Sequence, residues 1–207
     1  MTLFPLTLWH GTSAHLLPKI EEHGLGGRNV MQDWRVMDFI QWALPLVDVD
    51  ETDFAHPDYL RLMPIKAAAK GGAGGMNFEY GDVYVAGGFH KAADYALNAP
   101  ELMSFVPTLL DVADDRGVDA VRDGLAEFPE IKEFISLEPR PVVLKLPPVP
   151  ADMVMSEKGE AVPLLDRMRD DPNSAVCAQL GFRLTTVVPF DAIEVIDTSD
   201  HKRVFVL

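Results

Sequence analysis

The apolar and polar positions near the start of the chain predict a strand that runs directly into a helix. Residues 7–9 are strand formers and lead into His10 and Gly11. Thr12 or Ser13 can cap the helix that follows. The pattern therefore predicts a histidine at the mouth of a strand, beside bare backbone and a helix N-terminus, where a polar ligand can be held. The alternative is an ordinary strand-turn-helix whose histidine only hydrogen-bonds a neighbour.

A second strand and helix are predicted further along the chain. Residues 81–86 read as a strand that contains Tyr84, and residues 89–96 read as a helix that contains Tyr95. Taken alone, these two tyrosines are interpreted as half-buried aromatic residues of a strand and a helix.

Two stretches between these motifs have helical spacing. Residues 31–47 place aromatic and aliphatic side chains at i, i+3 and i+4, which predicts a helix that Pro45 ends. Residues 59–70 predict a helix broken by Pro64. The aromatic stripe is interpreted as core.

The whole chain, residues 1–207, is predicted to form one domain with helical insertions at about 30–70 and 100–136. Short strands follow the second insertion. Because they alternate with inserted helices and no strand-helix-strand unit repeats, the expected class is α+β. The predicted late strands are residues 142–146, 182–188, 192–196 and 204–207.

Composition limits the possible classes of protein. The chain has 207 residues, of which 48% are hydrophobic and 24% charged, as expected of a soluble globular domain. It has no apolar run of about 18 residues and no secretory signal, so we expect a cytoplasmic protein without a membrane span. The single cysteine, Cys177, excludes an internal disulfide and a multi-cysteine metal site.

Charge argues against extended nucleic-acid binding, because the net charge is -14 and lysines and arginines form no cluster. Residues 48–58 hold five acids around His56, which could suggest a metal site. No regular ligand spacing is present, so a solvated acidic loop is the favoured interpretation and no metal is expected. The glycine-rich residues 71–75 form a loop or a flap near the second motif.

Taken together, the two motifs resemble the ADP-ribosyltransferase superfamily, in particular its diphtheria-toxin-like and poly(ADP-ribose) polymerase-like branch. That branch has a His-Gly-Ser/Thr strand, matched here at residues 10–12, and a tyrosine strand followed by a helix with a second tyrosine. Lys91 also follows in family-like register, and residues 16–25 are similar to a helix of bacterial members. The resemblance covers residues 7–25 and 79–97 well and 141–197 loosely.

The resemblance implies NAD+ as the donor substrate and a split antiparallel sheet with inserted helices as the fold. It implies that His10 contacts the adenosine ribose, that the Gly11 backbone pairs with the nicotinamide amide, and that Tyr84 and Tyr95 stack on the nicotinamide ring. An exposed N–H and C=O match a carboxamide, and stacking on a cationic ring contributes about 0.5–2 kcal/mol. The neighbouring residues Thr12 and Ser13 belong to the same predicted binding site. Arg28, in the loop after the first helix, is a candidate partner for a phosphate, and an exposed loop arginine is the alternative.

The third catalytic residue is where the sequence departs from the family, which places a glutamate before a late strand. Gly181 stands at that position. Gln179 lies just before it, and Asp170 and Asp171 lie further upstream. The segment 170–173 resembles the Asp-Asp-Pro-Asn stretch of rifamycin ADP-ribosyltransferases, whose third catalytic residue is an aspartate.

Two functions from different classes follow. The favoured one is an enzyme, a mono-ADP-ribosyltransferase that moves ADP-ribose from NAD+ to a protein, nucleobase or small molecule. Its predicted catalytic residues are Tyr84 and one of Asp171, Asp170 and Gln179. The alternative is a catalytically silent module that binds a nucleotide or a protein partner. An RNA 2'-phosphotransferase-like activity is a lesser alternative, which the acidic charge disfavours.

Overall fold

The structure is a computed structural model, and it describes the greater part of the chain in five stretches. Three sequence predictions lie wholly or partly outside them: the glycine-rich loop, most of the acidic segment around His56, and the last predicted strand. The described residues are 2–49, 56–70, 82–97, 101–162 and 165–198.

The chain divides into two compact units, each of which is discontinuous in sequence. Unit 1 comprises Met1–Asn29, Asp82–Pro100 and Pro139–Leu207, and it contains all of the described strands. Unit 2 comprises Val30–Gly81 and Glu101–Glu138, and its described elements are helical. Each motif identified in the sequence lies in unit 1.

Unit 1 is built on a six-stranded antiparallel sheet with the order β4-β5-β2-β1-β3-β6. The two motif-bearing strands, β1 and β2, are neighbours near its centre. The strands are β1 (Trp9–Ser13), β2 (Val83–Ala86), β3 (Pro141–Lys145), β4 (Val154–Ser156), β5 (Gly181–Leu184) and β6 (Glu194–Asp197).

The two faces of this sheet are covered differently, because successive side chains of a strand point to opposite sides. On one face Val85, Leu144 and Phe182 join the larger core of the unit. On the other face Ala86 and Val143 pack against one helix, α5, in a small alanine-rich core. The helices of unit 1 are α1 (Leu17–His23), α5 (Phe89–Leu97), α9 (Leu165–Asp170) and α10 (Ala175–Gln179).

Unit 2 encloses an apolar core of its own, in which Phe39, Ile40 and Leu109 are fully buried. The aromatic stripe of α3 therefore serves packing, as its spacing predicted. Trp42, on the same helix, lies so close to Gly124 that a β-carbon there would be 2.0 Å from the indole. The helices are α2 (Val30–Asp33), α3 (Val36–Val47), α4 (Tyr59–Ala69), α6 (Glu101–Asp115), α7 (Asp119–Gly124) and α8 (Pro129–Ser136).

Two predictions about proline in these helices were wrong. Helix α3 does not end at Pro45 but continues to Val47, and α4 runs through Pro64 without a break. A proline removes the hydrogen bond to the carbonyl four residues earlier. For Pro64 that carbonyl belongs to Leu60, whose side chain is 72% exposed, so this turn of the helix faces water.

The acidic segment is also less solvated than predicted at its two described ends. Asp48 pairs with the largely buried ammonium of Lys66 at 2.6 Å, and Asp58 pairs with Arg61 at 3.0 Å. In the described ranges no group of three histidine, cysteine, aspartate or glutamate side chains could hold a metal ion.

The mixed α+β class is confirmed by the antiparallel sheet and the inserted helices. Among the residues that the structure describes, every helix is too short or too polar to cross a bilayer.

Candidate functional site

The site is organised around the point where β1 and β2 stop pairing. The two strands share one described register pair, Trp9 with Ala86. One step further along, the Nδ1 atom of His10 lies 2.8 Å from the carbonyl oxygen of Tyr84. A side chain of β1 thus takes the place of a main-chain partner, and the two motifs meet at this contact.

The main chain of Gly11 faces the gap that opens there. The Leu146 amide donates to the Leu8 carbonyl on the β3 side at 2.9 Å. Since alternate residues of a strand turn their polar groups to alternate neighbours, His10 also faces β3 and Gly11 faces β2. No register pair continues the β1–β2 ladder to Gly11 within the described strands. Its N–H and C=O therefore point into the space between the strands.

The absence of a side chain at Gly11 has a different reason from the one the sequence suggested. A β-carbon there would lie 1.9 Å from the Ala92 carbonyl oxygen and 2.7 Å from the Ala96 nitrogen. The backbone of α5 occupies that side, so the glycine is required for helix–strand packing and not for ligand approach over its α-carbon. A ligand can reach Gly11 only along the plane of the sheet, through the gap.

His10 is held in its neutral form. Burial disfavours the imidazolium and lowers the pKa of His10, while the hydrogen bond to the Tyr84 carbonyl acts in the opposite direction. A carbonyl oxygen can only accept, so Nδ1 carries the proton and donates. The other ring nitrogen, Nε2, is then an acceptor in the neutral ring. An acceptor at this position suits a ligand hydroxyl.

The second tyrosine lies on α5 next to a lysine. Tyr95 is 41% exposed, and the Lys91 ammonium lies 5.8 Å from its ring centroid. Lys91 and Tyr95 are four residues apart and so share one side of the helix. Tyr84 is half-buried on β2 and pairs with Arg183 of β5, on the sheet face that α5 covers. Both tyrosines therefore belong to the α5 side of the sheet.

The remaining predicted binding residues of the first motif are engaged in local structure. Thr12 and Ser13 are buried, and the Ser13 hydroxyl accepts from the His15 amide at 3.3 Å. Ser13 therefore caps a short 3-10 helix, Ala14–Leu16, that precedes α1, and α1 itself begins without a side-chain cap.

Arg28 is exposed in the loop after α1 and lies 3.5 Å from the His23 ring. The same loop contacts β2 through Gly26, because a β-carbon there would be 3.4 Å from Val83. The loop that carries Arg28 thus passes the beginning of the tyrosine strand.

The predicted candidates for the third catalytic group lie around α10. Asp170 is the exposed last residue of α9, and Asp171 is exposed in the turn that follows, where its carbonyl accepts from the Ser174 amide at 3.3 Å. The Gln179 side chain is also exposed, and the main-chain carbonyl of Gln179 accepts from the Lys91 ammonium at 2.9 Å. Gln179 is therefore linked to α5 through its main chain, whereas the Asp171 main chain bonds to α9 and α10.

A carboxylate that the sequence did not indicate lies over Gly181. The Oε1 atom of Glu157 is 1.8 Å from the position that a β-carbon on Gly181 would occupy. The Lys91 ammonium nitrogen is 3.0 Å from that same β-carbon position. Glu157 follows β4, a strand of three residues that the hydrophobic pattern did not predict. The one sign of this turn in the sequence was a glycine, Gly159, a residue type that turns favour. In the structure its φ of 76° closes the turn after β4.

Comparison with protein-family models, with curated proteins and with solved structures finds no match to this chain.

Proposed function

We propose that this protein has the ADP-ribosyltransferase fold and is a mono-ADP-ribosyltransferase that uses NAD+ as its donor. The observation that carries the proposal is the gap between β1 and β2, into which the Gly11 main chain points. The His10 ring meets the Tyr84 carbonyl beside it, and the Tyr84 side chain lies on the α5 face of the sheet. Each group has the chemistry that one part of NAD+ requires. The acceptor is a protein, a nucleobase or a small molecule.

The nicotinamide end of NAD+ fits the gap by its hydrogen-bonding groups. A carboxamide has an N–H donor and a C=O acceptor, and the Gly11 main chain offers the matching acceptor and donor in the plane of the sheet. Tyr84 and Tyr95 supply aromatic faces on the α5 side, and a π face attracts the cationic pyridinium. These groups bind and orient the ring whose bond to ribose is to be broken.

The ribose end fits the neutral imidazole. His10 donates through Nδ1 to Tyr84, so its Nε2 accepts from a ribose hydroxyl without a change of protonation state. Arg28, on the loop beside β2, is the candidate for a pyrophosphate oxygen, as a guanidinium pairs well with phosphate. Thr12 and Ser13 are buried at the end of β1 and stabilise that part of the strand.

Thermal unfolding with increasing NAD+ tests binding. A ligand that binds only the native state adds about 2.7 kcal/mol at a hundredfold excess over its dissociation constant. We expect stabilisation of the wild type, and a much smaller effect in His10→Ala and Tyr84→Ala. Release of nicotinamide, followed by chromatography with water and with candidate acceptors, tests catalysis. No stabilisation by millimolar NAD+ would overturn the proposal.

A catalytically silent module is the second candidate, favoured by the glycine at position 181. It predicts NAD+ binding without any release of nicotinamide. The two measurements together therefore separate an enzyme, a silent binding module and a protein that does not bind NAD+.

A further inference from the structure

The missing side chain of Gly181 is replaced in space by a carboxylate from the adjacent strand. β4 and β5 are antiparallel, with Val154 opposite Leu184 and Ser156 opposite Phe182. One further step of this register sets Glu157 opposite Gly181. Paired residues point to the same face of a sheet, and that face is the one covered by α5. The Glu157 Oε1 atom lies 1.8 Å from where a β-carbon on Gly181 would be.

The turn that carries Glu157 is fixed by its own hydrogen bonds. The Gly159 amide donates to the Ser156 carbonyl at 2.8 Å, and the Ser156 amide donates to the Glu160 carbonyl at 2.8 Å. Gly159 has a φ of 76°, and a β-carbon on it would be 3.1 Å from the Arg183 guanidinium. The turn therefore lies closely against β5, and the start of the Glu157 side chain is held beside Gly181.

Lys91 positions the carboxylate from the other side. Its ammonium lies 3.6 Å from Glu157 Oε1 and donates to the Gln179 carbonyl at 2.9 Å. The Lys91 side chain is only 19% exposed, whereas that of Glu157 is 49% exposed. The pair thus has a half-buried cation and a more exposed carboxylate that water and a ligand can reach. Tyr95 borders the same ammonium.

We propose that Glu157 is the third catalytic residue, the carboxylate that stabilises the positive charge developing on the ribose of NAD+. This inference rests on the proposed function. The bond between C1' of the ribose and the nicotinamide nitrogen breaks, and its electron pair leaves with neutral nicotinamide. The acceptor's O–H or N–H oxygen or nitrogen bonds to C1', and its proton passes to Glu157 and then to solvent. With water the products are ADP-ribose, nicotinamide and one proton.

Glu157 fits this role better than the candidates that the sequence indicated. Asp170 and Asp171 have exposed side chains at the end of α9 and in the turn after it. Gln179 carries no charge and cannot stabilise a cation as a carboxylate does. Glu157 instead lies on the face of Tyr84, at the position of the late strand where the family resemblance implies a glutamate.

The first experiment compares Glu157→Gln with Glu160→Gln, a matched control on the same turn with the same loss of charge. Removing one preorganised electrostatic group lowers kcat about 100- to 1,000-fold. We expect that loss in Glu157→Gln and a rate within about twofold of wild type in Glu160→Gln. NAD+-induced stabilisation should persist in both variants, because the group acts mainly in the transition state. Melting without NAD+ checks that each variant is folded.

The second experiment moves the carboxylate across the strand pair. Glu157→Ala should be inactive, and the double variant Glu157→Ala/Gly181→Glu should recover at least tenfold in rate. The double variant is sterically allowed, because the two atoms nearest to the new β-carbon both belong to the Glu157 side chain and are removed. The next atom, the Lys91 ammonium nitrogen at 3.0 Å, ends a flexible chain. A purely structural role of Glu157 predicts no such recovery.

The outcomes separate this inference from the proposed function. If wild type releases nicotinamide and Glu157→Gln does so at a similar rate, the role of Glu157 is overturned and the proposed function stands. If Glu157→Gln loses activity and the double variant recovers it, both stand. If wild type binds NAD+ but releases no nicotinamide, or does not bind NAD+, both are overturned.

Discussion

The carbonyl oxygen of Ala92 in α5 lies 1.9 Å from the position that a β-carbon on Gly11 would occupy. Helix and strand approach each other there so closely that only glycine fits. This packing fixes α5, and with it Lys91 and Tyr95, over the centre of the sheet. The geometry of the candidate site therefore depends on one glycine in β1.

Gly11→Ala should destabilise unit 1 by about 3 kcal/mol, since added atoms in a tightly packed region force the backbone apart. Gly117→Ala is the control. Nothing lies within 4 Å of a β-carbon at Gly117, and its φ of 66° alone costs about 1–2 kcal/mol. Chemical denaturation followed by circular dichroism measures both. Equal losses in the two variants would contradict the close approach of α5.

His10 should make stability depend on pH in the weakly acidic range. Burial lowers its pKa in the folded protein below the ordinary value of about 6.5. The unfolded chain then binds more protons between the two pKa values. The contribution of neutral His10 to the free energy of unfolding is fully present above about pH 6.5. It is lost as the pH falls from there towards the pKa of His10 in the folded protein. We expect His10→Gln to lose this part of the pH dependence.

His90→Gln is the matched control for that measurement, because His90 is exposed on α5, whereas the His10 ring donates to the Tyr84 carbonyl. The part of the pH dependence that comes from His10 should persist in this variant. Nuclear magnetic resonance of the imidazole gives an independent test. A His10 ring that titrates at or above about pH 6.5 would contradict the inferred neutral form.

Tyr95 should contribute to NAD+ affinity through its ring and not through its hydroxyl. Aromatic stacking and cation–π contacts contribute about 0.5–2 kcal/mol, which corresponds to about 2- to 30-fold in affinity. We expect a loss in that range for Tyr95→Ala and none for Tyr95→Phe, by isothermal titration calorimetry. The side chain is exposed, so neither change should disturb the core. Unchanged binding in Tyr95→Ala would remove this residue from the site.

The exposed aspartates before α10 allow the two hypotheses about the third catalytic group to be compared directly. If Glu157 has that role, Asp170→Asn and Asp171→Asn should release nicotinamide within about twofold of the wild-type rate, as surface changes usually shift energies by less than about 0.5 kcal/mol. A hundredfold loss in either variant, with NAD+ stabilisation retained, would instead support the aspartate that the sequence resemblance indicated.

Much of the secondary structure around the two motifs could be predicted from local pattern. The strand at His10, the tyrosine strand, α5 and the serine cap all depend on spacings of a few residues. The errors at Pro45 and Pro64 have one cause. A proline breaks a helix only when the lost hydrogen bond is not offset by packing, and the buried faces of α3 and α4 outweigh that loss.

The sequence by itself determined the α+β class, the strand at His10 and the tyrosine strand, because each of these follows from short-range periodicity. Only the tertiary structure shows that the backbone of α5 leaves no room for a side chain at Gly11. It also decides which carboxylate lies beside Gly181. Glu157 and Gly181 are far apart along the chain, and only the antiparallel register of β4 with β5 sets them opposite each other. A pairing between distant strands is selected by the packing of the whole sheet, so no local pattern contains it.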